Sequence, residues 1–128
     1  MKPLEILYVE DYTPLLMLVR DLLEAEGWQV EICESGRAAL QKLESETHYD
    51  LIILDHDLPE MDGLELVRRA RQMPHRQRVP VFVFSASGRQ SDALRAGANL
   101  FLSKPEDIRK LSETIKLLFD APDDLTNR

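Results

Sequence analysis

The sequence predicts a doubly wound α/β fold, in which a five-stranded parallel sheet with the order 2-1-3-4-5 is covered by helices on both faces. Short apolar runs alternate with segments of helical periodicity. The runs are mostly apolar throughout, which is typical of strands buried on both sides. Four of them stop abruptly at a charged or hydroxyl residue. The runs are Leu4–Val9, Trp28–Cys33, Leu51–Leu54, Val79–Phe84 and Leu100–Leu102.

Apolar residues at helical spacing predict five helices between and after these strands. Thr13, followed by proline, is a typical N-cap, and Gly27 is a typical helix end. The first helix is expected to bury one apolar face formed by Leu15, Leu18, Val19, Leu22 and Leu23. The remaining helices are predicted after Ser35, over Gly63–Met73, around Gln90–Ala96 and over Glu106–Phe119.

Length and charge limit the classes of function. The 128 residues suffice for one domain, predicted over 1–119 and followed by a tail or linker start at 120–128. Cys33 is the single cysteine, and the N-terminus does not look like a secretory signal, so a reducing cytoplasm is expected. A net charge of -7 opposes direct binding to nucleic acid or to an anionic membrane.

Polar residues follow four of the predicted strands. Glu10 and Asp11 follow the first strand, Asp55 the third, Ser85 the fourth, and Lys104 lies just after the fifth. Because parallel strands end at one edge of a sheet, we expect these side chains to converge there. In a sheet of this order, the ligand site lies where the strand order reverses, between the first and third strands.

This set of residues suits phosphoryl chemistry with a metal ion. Three clustered carboxylates repel one another unless a cation lies among them, and an oxygen-only ligand set suits Mg²⁺. Lys104 and Ser85 provide an ammonium and a hydroxyl to hold phosphoryl oxygens. Asp55 is the central candidate for covalent attack on phosphorus, because a carboxylate can form an acyl phosphate.

The chain resembles the response-regulator receiver domains of two-component systems, which have a flavodoxin-like fold, over essentially Leu4 to Phe119. The motifs that carry the resemblance are Glu10-Asp11, the segment LDHDLPEMDG around Asp55, Ser85-Ala86 and Lys104-Pro105. The resemblance implies a signalling switch that catalyses only its own phosphotransfer and dephosphorylation. A histidine kinase, a phosphotransfer protein or a small phosphodonor would phosphorylate Asp55.

The resemblance also implies roles for individual residues. Asp11, Asp55 and the backbone carbonyl of Asp57 would bind Mg²⁺, with Glu10 acting nearby or through water. Lys104 would contact the phosphate, and its bond to Pro105 would be cis. Ser85 and Phe101 would form the switch that remodels the surface of the fourth helix, fifth strand and fifth helix, where an unknown downstream protein binds; a homodimer is left open.

Two departures from the family pattern are visible in the sequence. Phe101 stands where the family often has tyrosine, so a ring can pack there but no hydroxyl is available. The segment from Ser85 to Lys104 is about three residues shorter than usual, close to one helical turn, which predicts a short fourth helix. Separately, we hypothesise that the side chain of Asp57 influences hydrolysis of the phosphate.

Other polar residues are given structural or surface roles. His56 is interpreted as a surface side chain, since successive side chains of a strand point to opposite faces. A group of arginines is expected to form a solvated helix face and loop. This group consists of Arg68, Arg69, Arg71, Arg76 and Arg78.

Other functions remain open. The chain could be a receiver fragment of a larger hybrid kinase or multidomain regulator. LDHD also fits the D-x-D motif of haloacid-dehalogenase-like phosphohydrolases, but two strand-helix units precede it, and Asp123 and Asp124 lie in the tail. A flavodoxin-like cofactor binder would need a hydroxyl-rich loop where EDYTPL stands. A phosphorylation-independent interaction module would usually have lost the acceptor or the lysine.

Overall fold

A computed structural model describes residues 2–86 and 88–120 and confirms the predicted fold. The five strands form one parallel sheet in the order β2-β1-β3-β4-β5. The predicted tail lies outside the described residues from position 121 onward. The strands are β1 (Glu5–Val9), β2 (Gln29–Cys33), β3 (Leu51–Asp55), β4 (Val81–Ser85) and β5 (Leu100–Ser103).

Five helices connect and cover the strands, and none of those described is long and apolar enough to cross a membrane. The Ser35 side chain caps α2, accepting a hydrogen bond from the backbone N–H of Ala38 at 3.1 Å. At α1, by contrast, Tyr12 occupies the N-cap position that was predicted for Thr13. The helices are α1 (Thr13–Glu24), α2 (Gly36–Glu44), α3 (Gly63–Gln72), α4 (Gln90–Ala96) and α5 (Leu111–Phe119).

The fourth helix is short, as the sequence predicts, and the fifth begins later than predicted. The helix α4 has seven residues, which agrees with the sequence prediction. The helix α5 begins at Leu111 rather than at Glu106, because Ile108–Lys110 forms a single 3₁₀ turn before it.

The core has two halves, one on each face of the sheet. One half packs the sheet against α2, α3 and α4, and the other packs it against α1 and α5. On β1, Leu7 and Val9 face the first half, whereas Ile6 and Tyr8 face the second. This alternation continues past the strand ends and decides on which face each functional side chain lies.

The predicted buried face of α1 is only partly correct. Val19 and Leu23 are buried as predicted, but Leu18 and Leu22 are 51% and 36% exposed, and Leu16, which was not part of the predicted face, is buried. Because nearly every position in the segment LLMLVRDLL is apolar, periodicity alone does not determine which side faces the core.

Two arginines that were expected to be solvated instead hold backbone carbonyls. Arg76 is 2% exposed, donates from Nε to the carbonyl of Leu43 at 3.0 Å, and lies 5.0 Å from the ring centre of Tyr49. Arg71 donates from Nη1 to the carbonyl of Val79 at 2.7 Å. The last carbonyls of α2 lack intrahelical partners, and the Arg76 guanidinium supplies donors for them.

Candidate acidic site at the carboxyl edge of the sheet

The strand order brings an ammonium and two carboxylates together at the carboxyl edge. Val9 of β1 lies opposite Leu54 of β3, so Glu10 and Asp55 follow side by side. Lys104 reaches them from beyond β5. Its Nζ lies 2.9 Å from Glu10 Oε1 and 3.0 Å from Asp55 Oδ1. Because Glu10 and Asp55 are 1% and 3% exposed, this contact joins charges that are almost removed from water.

A third carboxylate, that of Asp11, completes an oxygen cluster. Glu10, Asp11 and Asp55 each offer a ligand oxygen, and the three oxygens lie within 4.8 Å of one another. Asp11 is exposed, whereas the other two are buried, so solvent reaches one side of the cluster. Hard divalent cations with several water ligands prefer such oxygen donors, so the residues present fit a Mg²⁺ ion.

Electrostatic interactions within the cluster shift the pKa values of its members. Burial raises the pKa of Glu10, the hydrogen bond from Lys104 opposes this shift, and the charge of Asp55 adds to it. Burial alone would lower the pKa of Lys104, but the hydrogen bonds to Glu10 and Asp55 raise it overall. Lys104 is therefore the charged counterpart of the two buried carboxylates in the absence of metal.

The loop after β3 is tightly fitted to the strand end. The backbone N–H of Asp57 donates to Asp55 Oδ1 at 3.1 Å, and that of Gly63 donates to the carbonyl of His56 at 3.1 Å. A Cβ at Gly63 would collide with the backbone oxygen of Asp55, so only glycine fits there. Asp62 caps α3 by accepting from Leu64 N–H at 2.8 Å. The LPEMDG turn thus places the start of α3 directly against the Asp55 backbone.

An open cleft of about 420 Å³ lies beside this cluster. Lys104–Pro105, at its rim, is a cis peptide bond. The described lining includes the carboxylates, Lys104 and an apolar edge from α1 and the segment before α5. The lining residues are Glu10, Asp11, Tyr12, Leu15, Asp55, Asp57, Ala86, Lys104, Pro105 and Ile108.

The two expected switch residues, Ser85 and Phe101, are not among the described residues that line the cleft. Ser85 is 1% exposed, and its Oγ lies 3.5 Å from His56 Nδ1. Because Phe84 faces the α1 and α5 half of the core, Ser85 faces the opposite half. Phe101 is half-buried and packs against that same α2, α3 and α4 half.

His56 is the site residue that sequence reasoning placed wrongly. It was interpreted as a surface side chain, yet it is 4% exposed. Its Nδ1 lies 3.2 Å from Asp57 Oδ1, and its Nε2 lies 3.5 Å from Asp62 Oδ1. Strand alternation gives the side chain a face but says nothing of what covers that face, and here the loop and the start of α3 cover it. The flanking acids Asp57 and Asp62 were the available signal.

The fold and the strand-end carboxylates define a class: a doubly wound α/β domain with a cation-compatible acidic site at its topological switch point. Within that class, residues 6–116 match the family model described as the response regulator receiver domain, and the chain belongs to this family.

Relatives of known sequence and structure agree with this assignment. The phosphate regulon transcriptional regulatory protein PhoB of Rhizobium meliloti is 38% identical over 117 residues, which cover 89% of this chain and 51% of that protein. The polar-differentiation response regulator DivK of Brucella ovis is 35% identical, with 87% and 92% covered. The chain thus spans about half the length of the PhoB relative and nearly all of DivK.

Solved structures give the same fold. A CheY-like receiver domain protein from Methanospirillum hungatei superimposes with a TM-score of 0.84 at 31% identity, covering 93% of this chain and 95% of the other. The receiver domain of a Pseudomonas aeruginosa sensor histidine kinase superimposes with a TM-score of 0.81 at 30% identity, covering 90% and 96%. That second structure has a magnesium ion coordinated in its active site cleft.

Proposed function

We propose that this chain is a phosphorylation-dependent switch in which Asp55 accepts a phosphoryl group from a histidine kinase or a phosphotransfer protein, with Mg²⁺ as the cofactor. One observation carries the proposal. Lys104 follows a distant strand, and its Nζ lies within 3.0 Å of a carboxylate oxygen of Asp55 and of Glu10, at the edge of an open cleft. A buried carboxylate beside a positive donor and further metal-binding oxygens is what an aspartyl phosphate needs.

The geometry supports a direct transfer to Asp55. Its Oδ1 already accepts hydrogen bonds from Lys104 and from the Asp57 backbone, so Oδ2 is the oxygen offered to phosphorus. A bond forms between that oxygen and phosphorus, while the bond from phosphorus to the donor nitrogen or oxygen breaks. Lys104 then turns from the carboxylates toward the phosphoryl oxygens.

The metal would be held by Asp11, Asp55 and the backbone carbonyl of Asp57, with Glu10 nearby. When bound, Mg²⁺ supplies positive charge that offsets the repulsion between the carboxylates and the incoming phosphoryl group. Because Asp11 is exposed, an ion held there would remain accessible to solvent and to phosphoryl oxygens.

The signal would leave the site through Ser85 and Phe101. Ser85 now lies against His56, so a move toward the phosphoryl group would release that contact. Phe101 is only half-buried, and its ring would turn inward. The surface of α4, β5 and α5 would then bind an unidentified downstream protein in the cytoplasm.

A phosphodonor protein has to cover the rim of the cleft. Tyr12 and Leu15 line the cleft, and Leu18 lies three residues beyond Leu15 on the same side of α1. Tyr12 and Leu18 are 64% and 51% exposed. These side chains form an apolar surface continuous with the phosphorylation site, which we propose as the docking face for the donor. Leu18→Asp is expected to slow phosphorylation by a donor protein at least tenfold while leaving phosphorylation by acetyl phosphate unchanged, and equal slowing with both donors contradicts the assignment.

Intact-mass measurement after incubation with acetyl phosphate and Mg²⁺ tests the phosphoacceptor. Wild type should gain the mass of one phosphoryl group, and Asp55→Asn should gain none. Asp50→Asn, at the other edge of the sheet, is the matched control and should be modified like wild type. No adduct on wild type, or an adduct that survives Asp55→Asn, would overturn the proposal.

A receiver embedded in a larger protein is the second candidate. The signal transduction histidine-protein kinase BarA of Escherichia coli is 33% identical over 109 residues, which are 12% of its length. Such domains therefore occur within kinases as well as in regulators like DivK. The haloacid-dehalogenase-like interpretation gains no support, since Asp55 ends the third strand of a receiver-type sheet.

A further inference from the structure

A buried tyrosine beneath the acidic cluster has a hydroxyl that the resting state does not use. Tyr8, on β1, is fully buried, and its hydroxyl makes no hydrogen bond with any described residue. Burying a hydroxyl without a partner costs free energy, so such a group calls for an explanation. Tyr8 contributes to the core between the sheet and the helices α1 and α5.

The position of Tyr8 points its hydroxyl toward Glu10. Glu10 directly follows β1, and its backbone N–H continues the ladder to β2 by donating to the carbonyl of Cys33 at 3.0 Å. Tyr8 and Glu10, two positions apart, therefore lie on the same face, about 6.6 Å apart along the chain. Burial raises the pKa of Tyr8, and the charges of Glu10 and Asp55 and the approach of the hydroxyl to the Glu10 carboxylate raise it further. The approach does not satisfy the geometry of a formed hydrogen bond.

Glu10 depends on donors that the reaction would take away. Its Oε1 accepts from Lys104 at 2.9 Å, and its Oε2 accepts from the backbone N–H of Tyr12 at 3.1 Å. A divalent cation bound among the carboxylates would repel the Lys104 ammonium, and a phosphoryl group on Asp55 would attract it. Either event removes a donor from a carboxylate that is 1% exposed and cannot replace it readily with water.

We propose that Tyr8 is a positioning residue whose hydroxyl donates to Glu10 when Lys104 leaves it, and so keeps the Glu10 carboxylate oriented toward the metal. This inference rests on the proposed function, because it presupposes the divalent cation. In the resting state Lys104 donates to Glu10, and the Tyr8 hydroxyl makes no hydrogen bond with a described residue. Tyr8 touches neither metal nor phosphoryl group and acts through Glu10 alone.

The test compares Tyr8→Phe with Tyr49→Phe. Tyr49 is also buried, but its hydroxyl donates to Glu31 Oε1 at 2.7 Å, away from the acidic site. Thermal melting without Mg²⁺ and the affinity for Mg²⁺, measured by calorimetric titration, are compared for both variants and wild type. Mg²⁺ binding is a readout that does not depend on phosphorylation.

The two variants should behave in opposite ways. Without Mg²⁺, Tyr8→Phe should melt at or above the wild-type temperature, since no formed hydrogen bond is lost, whereas Tyr49→Phe should melt lower. Mg²⁺ binding should weaken about tenfold in Tyr8→Phe, as expected for losing a hydrogen bond to a charged group, and should not change in Tyr49→Phe.

Three results would overturn the inference. In two of them only the inference fails: wild-type Mg²⁺ affinity in Tyr8→Phe, or a loss of melting temperature without Mg²⁺ that matches that of Tyr49→Phe. In the third, wild type itself binds no Mg²⁺, and the metal site of the proposed function fails with it. Retained acetyl phosphate labelling of Tyr8→Phe at saturating Mg²⁺ would further support a role in orienting Glu10 rather than in the transfer step.

Discussion

The two edges of the sheet carry similar sets of metal-binding atoms in different settings. At the carboxyl edge these atoms belong to Glu10, Asp11 and Asp55, and at the amino edge Glu5, His48 and Asp50 likewise bring three ligand atoms within 4.8 Å. The amino-edge cluster is partly or fully exposed, whereas two members of the carboxyl-edge cluster are buried.

The amino-edge cluster is satisfied by the fold itself. Asp50 Oδ2 accepts from the backbone N–H of Glu5 at 2.8 Å, and its Oδ1 lies 2.9 Å from His48 Nε2. The backbone N–H of Asp50 in turn donates to the carbonyl of Glu5 at 2.7 Å. These bonds join the starts of β1 and β3. Proximity of ligand atoms therefore does not by itself define a metal site. What distinguishes the carboxyl edge from the amino edge is the burial of its carboxylates and the Lys104 ammonium that reaches them from beyond β5.

We expect removal of the Lys104 ammonium from the carboxyl edge to have the largest effect on stability. Lys104→Met leaves the buried carboxylates of Glu10 and Asp55 uncompensated, and we expect it to lower the free energy of unfolding by about 2–4 kcal/mol without Mg²⁺. Mg²⁺ should restore part of this loss. His48→Gln, at the amino edge, should change stability by less than about 0.5 kcal/mol. Urea unfolding with and without Mg²⁺ measures both, and equal losses at the two edges would contradict the comparison.

The same comparison explains what the sequence could predict. Asp55, Glu10 and Lys104 were identified because each follows an apolar strand, and strand ends in a parallel sheet must meet. His56 and Arg76 were placed wrongly for a common reason. Their burial depends on which loop or helix end covers them, and that is decided by packing between elements distant in the chain.

The positioning role proposed for Tyr8 illustrates the same limit of prediction from sequence. In the sequence it is one more aromatic residue in a strand, a type of position that usually belongs to the core. The spacing of Tyr8 and Glu10 is visible in the sequence, but only the fold, which brings Glu10 beside Asp55 and within 2.9 Å of Lys104 Nζ, shows that this buried carboxylate has a donor to lose. The misplaced residues on the α1 face have a different cause, since almost every position there is apolar.

The next largest effect should be on Mg²⁺ binding, which we expect to depend on the carboxyl edge of the sheet and not on the amino edge. Asp11→Asn removes one of the carboxylates proposed to hold Mg²⁺, and we expect the dissociation constant to rise at least tenfold, or about 1.4 kcal/mol. Asp50→Asn, which alters the other cluster by the same chemistry, should leave the constant within about twofold of wild type. Calorimetric titration provides both values. A matching loss in the two variants would mean that the amino edge also binds the ion.

The pH dependence of stability should have opposite signs for two glutamates. Burial raises the pKa of Glu10 above its unfolded value of 4.5, so its stabilising contribution is present at low pH and is lost as pH rises through the folded-state pKa. The hydrogen bonds from Lys42 and Tyr49 lower the pKa of Glu31, which lines a pocket near the amino edge. Its contribution is present above 4.5 and is lost as pH falls through the folded-state pKa.

Metal-free unfolding from pH 7 down to about pH 3 tests these signs. The stability of wild type relative to Glu10→Gln should rise as the solution becomes more acidic, and the stability relative to Glu31→Gln should fall. Slopes of the same sign for both variants would contradict the opposite pKa shifts that we assign to Glu10 and Glu31.

The smallest effect concerns the backbone of the loop that shapes the cleft. Glu60 has a φ of 71°, which is the left-handed region and is unfavourable for a residue with a side chain. Its one described ion pair, with Arg37 at 3.7 Å, is between exposed groups and contributes little. Glu60→Gly should therefore raise the free energy of unfolding by about 0.5–1 kcal/mol, because relief of strain exceeds the added entropy of the unfolded chain.

Glu46→Gly, in the exposed loop before β3 near the amino edge, is the matched control. No described residue of that loop has a positive φ, so glycine there only adds freedom to the unfolded chain and should lower stability. If Glu60→Gly also lowers stability, the left-handed turn is not strained. The carboxyl edge would then owe its shape to the fit of Gly63 against Asp55 and to the capping of α3 by Asp62, without a backbone cost at Glu60.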